Sequence, residues 1–193
     1  MKNENIKNLA LAAMFVALGL VLPFLTGQIP QIGKMMLPMH IPVLLCGLIC
    51  GWKYGAIVGF ITPLLRSVAI GVPVLFPTAT VMAVELMTYG LVIGFLYARS
   101  RWRCIFALYR CLIIAMISGR LVKAVTEIVL LGVGGEGFTY QTFIAGAFLN
   151  AIPGIITQLI LIPTIMVTLN KTGFVSLENG MHEKHSFVKD NAE

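Results

Sequence analysis

Seven polar residues lie within long apolar stretches of the sequence and could together form a binding site. They come from separate parts of the chain: His40, Arg66, Glu85, Tyr89, Arg120, Lys123 and Asn150. An ionisable side chain inside a membrane is unfavourable unless it is paired or hydrated, so each is by default a candidate for function. Cationic donors bind carboxylates well, and arginine can do so through two parallel hydrogen bonds. The residue types therefore indicate a site for a small solute that carries a carboxylate.

The same charges could instead neutralise one another within the protein. Glu85 could pair with Arg120, and Lys123 could pair with Glu127, which lies four residues further along the same predicted helix. We expect at least one such structural pair. Basic residues still outnumber acidic ones in the predicted outer half of the membrane, where the two sets are Lys34, His40, Arg66, Arg120 and Lys123 against Glu85, Glu127 and Glu136. This excess of positive charge again favours an anionic solute.

An intramembrane enzyme, either a hydrolase or a transferase, is the alternative from a different functional class. Ser67 or Ser118 could act as a nucleophile with His40 as its base, but neither serine lies in a Gly-x-Ser-x-Gly motif. The sequence also has no His-Glu-x-x-His motif and no aspartate-rich metal motif. We therefore predict no catalytic residue, no metal ligand and no cofactor.

The composition places these residues in a membrane. Of the 193 residues, 58% are hydrophobic and 11% are charged, whereas a soluble domain is about half apolar and about a quarter charged. A hydrocarbon core of ~30 Å needs ~20 apolar residues per helix, so the chain has room for about six spans and for no soluble catalytic domain. The basic residues are dispersed among the apolar segments, which argues against a nucleic-acid partner.

We predict an all-α polytopic membrane protein with six transmembrane helices. A single membrane-embedded binding domain, residues 1–170, precedes a polar cytoplasmic tail, residues 171–193. The predicted helices are 6–25, 38–51, 54–70, 79–97, 105–131 and 140–169. Basic residues then fall on one side of the membrane, at Lys2, Lys7, Lys53, Lys171 and the segment 99–103. The positive-inside rule makes that side the cytoplasm, with both termini inside. The polar residues would then form a cup that is open to the outside above an apolar floor.

Glycine and proline mark the predicted turns. Residues 51–55 read as a minimal turn that returns the chain across the bilayer, so His40 and Arg66 should lie on the same side. Pro63 is placed to break or kink its helix. Residues 71–78 are too rich in proline to be helical, and we expect them to form a link that could fold over a pocket as a lid.

Three alanines form one stripe on the first predicted helix. Ala10, Ala13 and Ala17 recur at i, i+3 and i+7, and small residues at such spacing let helices approach closely in lipid. The stripe could contact a neighbouring helix of the same chain or dock onto another subunit.

Several motifs together resemble a known family. They are the Ala13-x-x-x-Ala17 stripe, the run Leu-Pro-Met-His-Ile-Pro-Val-Leu-Leu-Cys-Gly from residue 37, the Gly-Trp-Lys-Tyr-Gly turn, and Gly59-x-x-Thr62-Pro63. Over residues 6–170 the chain resembles the substrate-binding subunit, or S component, of energy-coupling factor (ECF) transporters, which import vitamins into bacteria.

The resemblance implies a partner complex and a location. The protein would bind a small-molecule vitamin in the bacterial plasma membrane and associate with a transmembrane coupling subunit and two cytoplasmic ATPases. The alanine stripe, Ala10 included, would dock onto the coupling subunit, and the links 27–37 and 71–78 would act as a lid. The S component would topple in the membrane to carry its loaded pocket inwards.

The choice of vitamin rests on charge and on aromatic residues. The cationic excess favours pantothenate, a small carboxylate. Tyr89, Phe76, Phe138 and Phe143 could equally stack a flat ring, which leaves riboflavin and a queuosine precursor, a deazapurine, as alternatives. The resemblance also implies folate, pyridoxine and cobalamin as alternatives.

Overall fold

The structure is a computed structural model, and it describes residues 2–25, 38–100, 105–134 and 152–171. This part of the chain contains helices and short connections and no strand, which agrees with the predicted all-α class. Its helices are α1 (Lys2–Leu25), α2 (His40–Cys50), α3 (Trp52–Ile70), α4 (Thr80–Arg99), α5 (Ile105–Gly134) and α6 (Ile152–Lys171), with one π-helical turn at Leu75–Ala79.

Five of these helices are long and apolar enough to span a membrane, namely all except α2. The described part of α2 has 11 residues and a length of roughly 16 Å, about half the thickness of the hydrocarbon core. The second predicted span is thus a half-length helix within the described residues. The final predicted span, 140–169, is seen as a helix from Ile152 to Lys171, and its first part lies outside the described residues.

A single residue joins α2 to α3. Gly51 has φ 91° and ψ 172°, a conformation that side chains with a Cβ rarely adopt, and α3 begins at the next residue. The predicted turn over residues 51–55 therefore contracts to Gly51. Of the two expectations for Pro63, a break is excluded, because α3 runs through this residue to Ile70. Thr62 is buried beside this proline, and its hydroxyl donates to the Val58 carbonyl oxygen at 2.7 Å.

Glycines bring α2, α3 and α4 into backbone contact. A Cβ added at Gly90 on α4 would collide with the backbone of Gly55 on α3, and one added at Gly59 would collide with Leu86. A Cβ at Gly47 on α2 would lie 2.8 Å from the Gly90 carbonyl oxygen. Without a hydrophobic force between helices in lipid, close packing of this kind holds them together. These contacts fix the register of α4 against α2 and α3.

An apolar core occupies the end of the bundle that contains Gly51. Its buried side chains include Leu44, Leu48, Ile93, Leu108, Leu112 and Met166. No ionisable side chain is among the buried residues at this end of the described bundle, apart from thiols and Tyr97. The polar residues described below therefore lie above an apolar floor.

The link between α3 and α4 is not a regular helix, because Phe76 within the turn at Leu75–Ala79 has an extended backbone (φ -125°, ψ 132°). Gly71 ends α3 with φ 75°, and its N–H donates to the Ser67 carbonyl oxygen at 2.9 Å. The π-helical turn at Leu75–Ala79 follows. The link also carries exposed apolar side chains at Val72, Val74 and Phe76.

Candidate functional site

Glu85 is the centre of a buried polar cluster that joins three helices. Its carboxylate lies 3.5 Å from Arg120 Nη1 and 3.7 Å from Lys123 Nζ, both on α5. The His40 Nε2 atom at the start of α2 lies 3.8 Å away, and the Tyr89 hydroxyl donates to Glu85 Oε1 at 3.0 Å. Only 1% of the Glu85 surface is exposed. Four donor groups thus surround one carboxylate.

The helical periodicity of α4 and α5 accounts for much of this arrangement. Glu85 and Tyr89 are four residues apart on α4, and Arg120 and Lys123 are three apart on α5, so each pair shares one helix face. Lys123 also lies 3.9 Å from Glu127, one turn further along. The predicted pairs Glu85–Arg120 and Lys123–Glu127 are therefore confirmed. The contacts from Lys123 and His40 to Glu85 were not predicted.

The absence of a side chain at Gly119 makes room for Tyr89. A Cβ added at Gly119 would collide with the Tyr89 ring. The ring also packs against the His40 imidazole, with centroids 5.2 Å apart and planes inclined by 60°. Tyr89 is therefore held between α2 and α5, with its hydroxyl directed at the carboxylate. The prediction that Tyr89 stacks a ligand ring fits poorly with a side chain that is only 2% exposed.

The cluster is close to electrically neutral. Arg120 and Lys123 supply two positive charges, and Glu85 and Glu127 supply two negative ones, so only the protonation of His40 would add to the balance. Buried ion pairs contribute little net stability, but breaking one leaves an uncompensated charge in a low-dielectric interior. The arrangement can hold polar groups rigidly at one depth in the bundle.

Two predicted site residues are not placed in this cluster. Arg66 is partly buried on α3 and makes no ion pair with another described residue, and its Nε atom is buried without a hydrogen-bond partner among them. Asn150 lies outside the described residues. The structure thus brings together His40, Glu85, Tyr89, Arg120 and Lys123, and Arg66 lies outside this cluster.

The family model for the substrate-specific component of ECF transporters matches residues 7–173. The chain belongs to this family. No curated protein and no solved structure matches it.

Membership of this family sets the general role of the S component. It is a membrane-embedded, multi-pass subunit that binds a small-molecule substrate for transport in an ECF complex. Members of this family are substrate-binding transport subunits and not enzymes. The five apolar helices of spanning length agree with this assignment. The resemblance inferred from the sequence motifs is confirmed.

The serine–histidine pair considered for an enzyme is not formed in the described part of the S component. The Ser118 hydroxyl donates to the Ile114 carbonyl oxygen at 2.8 Å. Neither ring nitrogen of His40 has a hydrogen-bond partner among the described residues. The His40 ring instead faces Glu85 and Tyr89.

The alanine stripe of the S component lies on the outer surface of α1. Ala10, Ala13 and Ala17 are all exposed, whereas Ala12 and Phe15 on the opposite face are buried in the core. The stripe therefore does not pack against another described helix of the same chain. The stripe is thus a surface feature of the described part of the chain.

Sequence reasoning did not select Gln158 as a site residue. This side chain is 1% exposed and lies on the same face of α6 as the fully buried Ile162 and Met166. Its Nε2 atom has no hydrogen-bond partner among the described residues. The available signal was a lone polar residue within an otherwise apolar helical stripe.

Proposed function

We propose that this S component captures a water-soluble vitamin from outside a bacterial cell and delivers it with an ATP-driven partner complex, and that the vitamin is pantothenate. The observation that supports the proposal is the convergence of polar side chains from α2, α4 and α5 around Glu85, above an apolar core. Such a site closed on one side can bind a polar solute without providing a channel. The outward orientation rests on the positive-inside rule, which also puts both termini in the cytoplasm.

A charge count supports a carboxylate as the recognised group. Within the outer parts of the described helices, Arg66, Arg120 and Lys123 face two acids, Glu85 and Glu127. Both acids are in contact with the α5 bases. Arg66 is therefore the cation that a carboxylate of the vitamin would complement, through the bidentate geometry that arginine favours.

The surroundings of Tyr89 weaken the case for a flat-ring vitamin. Its ring is enclosed by His40 and Gly119, so it offers little surface for stacking. Phe76, which is 62% exposed on the link after α3, keeps riboflavin, folate, pyridoxine, cobalamin and a queuosine precursor as alternatives. Phe138 and Phe143 lie outside the described residues. The predicted lid, formed by residues 27–37 and 71–78, is part of the same proposal.

The vitamin that copurifies with the protein tests the proposal directly. We expect mass spectrometry of the denatured, detergent-purified chain to detect pantothenate in near-stoichiometric amount. Recovery of another of the named vitamins would retain the capture role and reject pantothenate. If the protein neither retains nor rebinds any of them, the capture proposal is wrong.

Replacement of Arg66 by alanine tests the carboxylate contact. A hydrogen bond to a charged group contributes about 1.5–3 kcal/mol, so we expect Arg66→Ala to weaken vitamin binding by roughly 10-fold or more. Arg99→Ala is the matched control, because Arg99 is exposed in the last turn of α4 at the other end of the bundle. Equilibrium binding to the two purified variants gives the comparison. Equal affinities would remove Arg66 from the site.

A further inference from the structure

Gln158 is a buried polar side chain on α6. We infer that Gln158 extends the substrate site onto α6 and donates an amide N–H to a carbonyl or carboxylate oxygen of the vitamin. This inference rests on the proposed vitamin capture. Among the described residues, it adds a neutral amide donor to the charged groups, His40 and Tyr89.

Gln158 is almost completely buried. Its side chain is 1% exposed, and its Nε2 atom has no partner within the described helices. A buried donor without a hydrogen bond is unfavourable, and such groups in native proteins usually have a structural or functional explanation. The neighbours on its helix face, Ile162 and Met166, are apolar and fully buried. A leucine or methionine would suit this face if packing were the only requirement.

Gln158 lies near the beginning of the described part of α6, as Glu85 lies near the beginning of α4. Glu85 is five residues after the start of α4, and Gln158 is six residues after the start of α6. Within the described bounds, each residue thus lies in the second turn of its helix. The contacts Gly47–Gly90 and His40–Glu85 show that α2 and α4 run in the same direction. In a bundle whose successive helices alternate in direction, α6 also begins on this side.

α6 packs against two of the helices that contribute residues to the polar cluster. α6 contacts both α2, which begins with His40, and α5, which supplies Arg120 and Lys123. Gln158 is thus on the inward face of the helix that adjoins two sides of the cluster. A vitamin bound between the cluster and α6 would meet Gln158. An amide donor at that place selects for an oxygen acceptor on the vitamin.

The test compares Gln158→Met with wild type in the full-length, detergent-purified chain. The probe is whichever of pantothenate, riboflavin, folate, pyridoxine, cobalamin and a queuosine precursor wild type binds most tightly. We expect Gln158→Met to bind it at least 10-fold more weakly, while the melting temperature of the ligand-free protein stays the same or rises. The reason is that an apolar side chain removes the unpaired donor from the empty protein. Thr164→Val is the control, since Thr164 is exposed on α6 and its hydroxyl donates within the helix to Ile160.

The possible outcomes separate this inference from the capture proposal. Tight binding by wild type and equal binding by Gln158→Met would overturn the role of Gln158 alone. If wild type binds none of these six compounds, the capture proposal fails and the inference fails with it. Should Gln158→Met not fold, Gln158→Asn draws the carboxamide back by one methylene. Weaker binding by Gln158→Asn supports the contact, and unchanged binding overturns it.

Discussion

Replacement of Glu85 by glutamine should be the most destabilising single change in the polar cluster. The carboxylate is contacted by Arg120, Lys123, His40 and Tyr89. Glutamine has a similar shape but no charge, so two bases would remain buried beside a neutral amide. Removal of one partner from a buried ion pair costs about 3–5 kcal/mol. We expect a loss of this order in the free energy of unfolding, and with it a loss of vitamin binding.

Glu127→Gln is the matched control for this prediction. Glu127 is also paired with Lys123, but 26% of its side chain is exposed, and a pair of this kind is worth about 0–1 kcal/mol. Chemical denaturation in detergent, followed by circular dichroism, would compare the two variants. If Glu85→Gln and Glu127→Gln unfold at the same denaturant concentration, the buried contacts of Glu85 do not stabilise the bundle more than the exposed Lys123–Glu127 pair does.

A double variant separates loss of charge from loss of shape. In Glu85→Gln combined with Arg120→Gln, the acid and one of its bases are both neutral. We expect part of the stability lost in Glu85→Gln to return, because one uncompensated charge has been removed. Strictly additive losses would mean that Arg120 is stabilised mainly by groups other than Glu85.

The order of the helices could be predicted well from the sequence, because apolar runs in a membrane protein end where charge, glycine or proline begins. Predicted and observed bounds agree closely for the helices that end at Ile70, begin at Thr80 and begin at Ile105. The pair Lys123–Glu127 could also be predicted, because both residues lie on one helix and their spacing is fixed by its geometry.

The rest of the site depends on which helices are neighbours, and a single sequence contains no direct signal for that. The register of α4 is set by Gly55 and Gly90, whose contact is visible only after folding. The same holds for Gly119, which makes room for Tyr89. Arg66, Arg120 and Lys123 were predicted to belong to one site. Of these three, only Arg120 and Lys123 form ion pairs with Glu85. Arg120 and Lys123 lie close enough to Glu85 to act as its counter-ions, and Arg66 does not.

Ala13→Trp should abolish vitamin uptake and leave vitamin binding intact. Ala13 is exposed in the middle of the alanine stripe on α1, away from the polar cluster. Small residues let helices pack closely in lipid, and an indole ring at the centre of such a surface would hold a partner helix away. We propose that the partner is the coupling subunit of the ECF complex. Uptake of labelled vitamin by cells, measured beside binding to the purified variant, tests the two halves of the prediction.

Leu18→Trp is the control that separates docking from a general effect of a bulky residue on α1. Leu18 is 40% exposed and lies about 100° around the helix from Ala17, so it is outside the stripe. We expect Leu18→Trp to bind and transport as wild type does, and Ala13→Ser, which stays small, to keep most of its uptake. Retained uptake in Ala13→Trp would refute docking through this stripe. Loss of binding in Ala13→Trp would instead indicate that α1 supports the vitamin site, because a surface used only for docking has no means of changing the affinity of the isolated subunit.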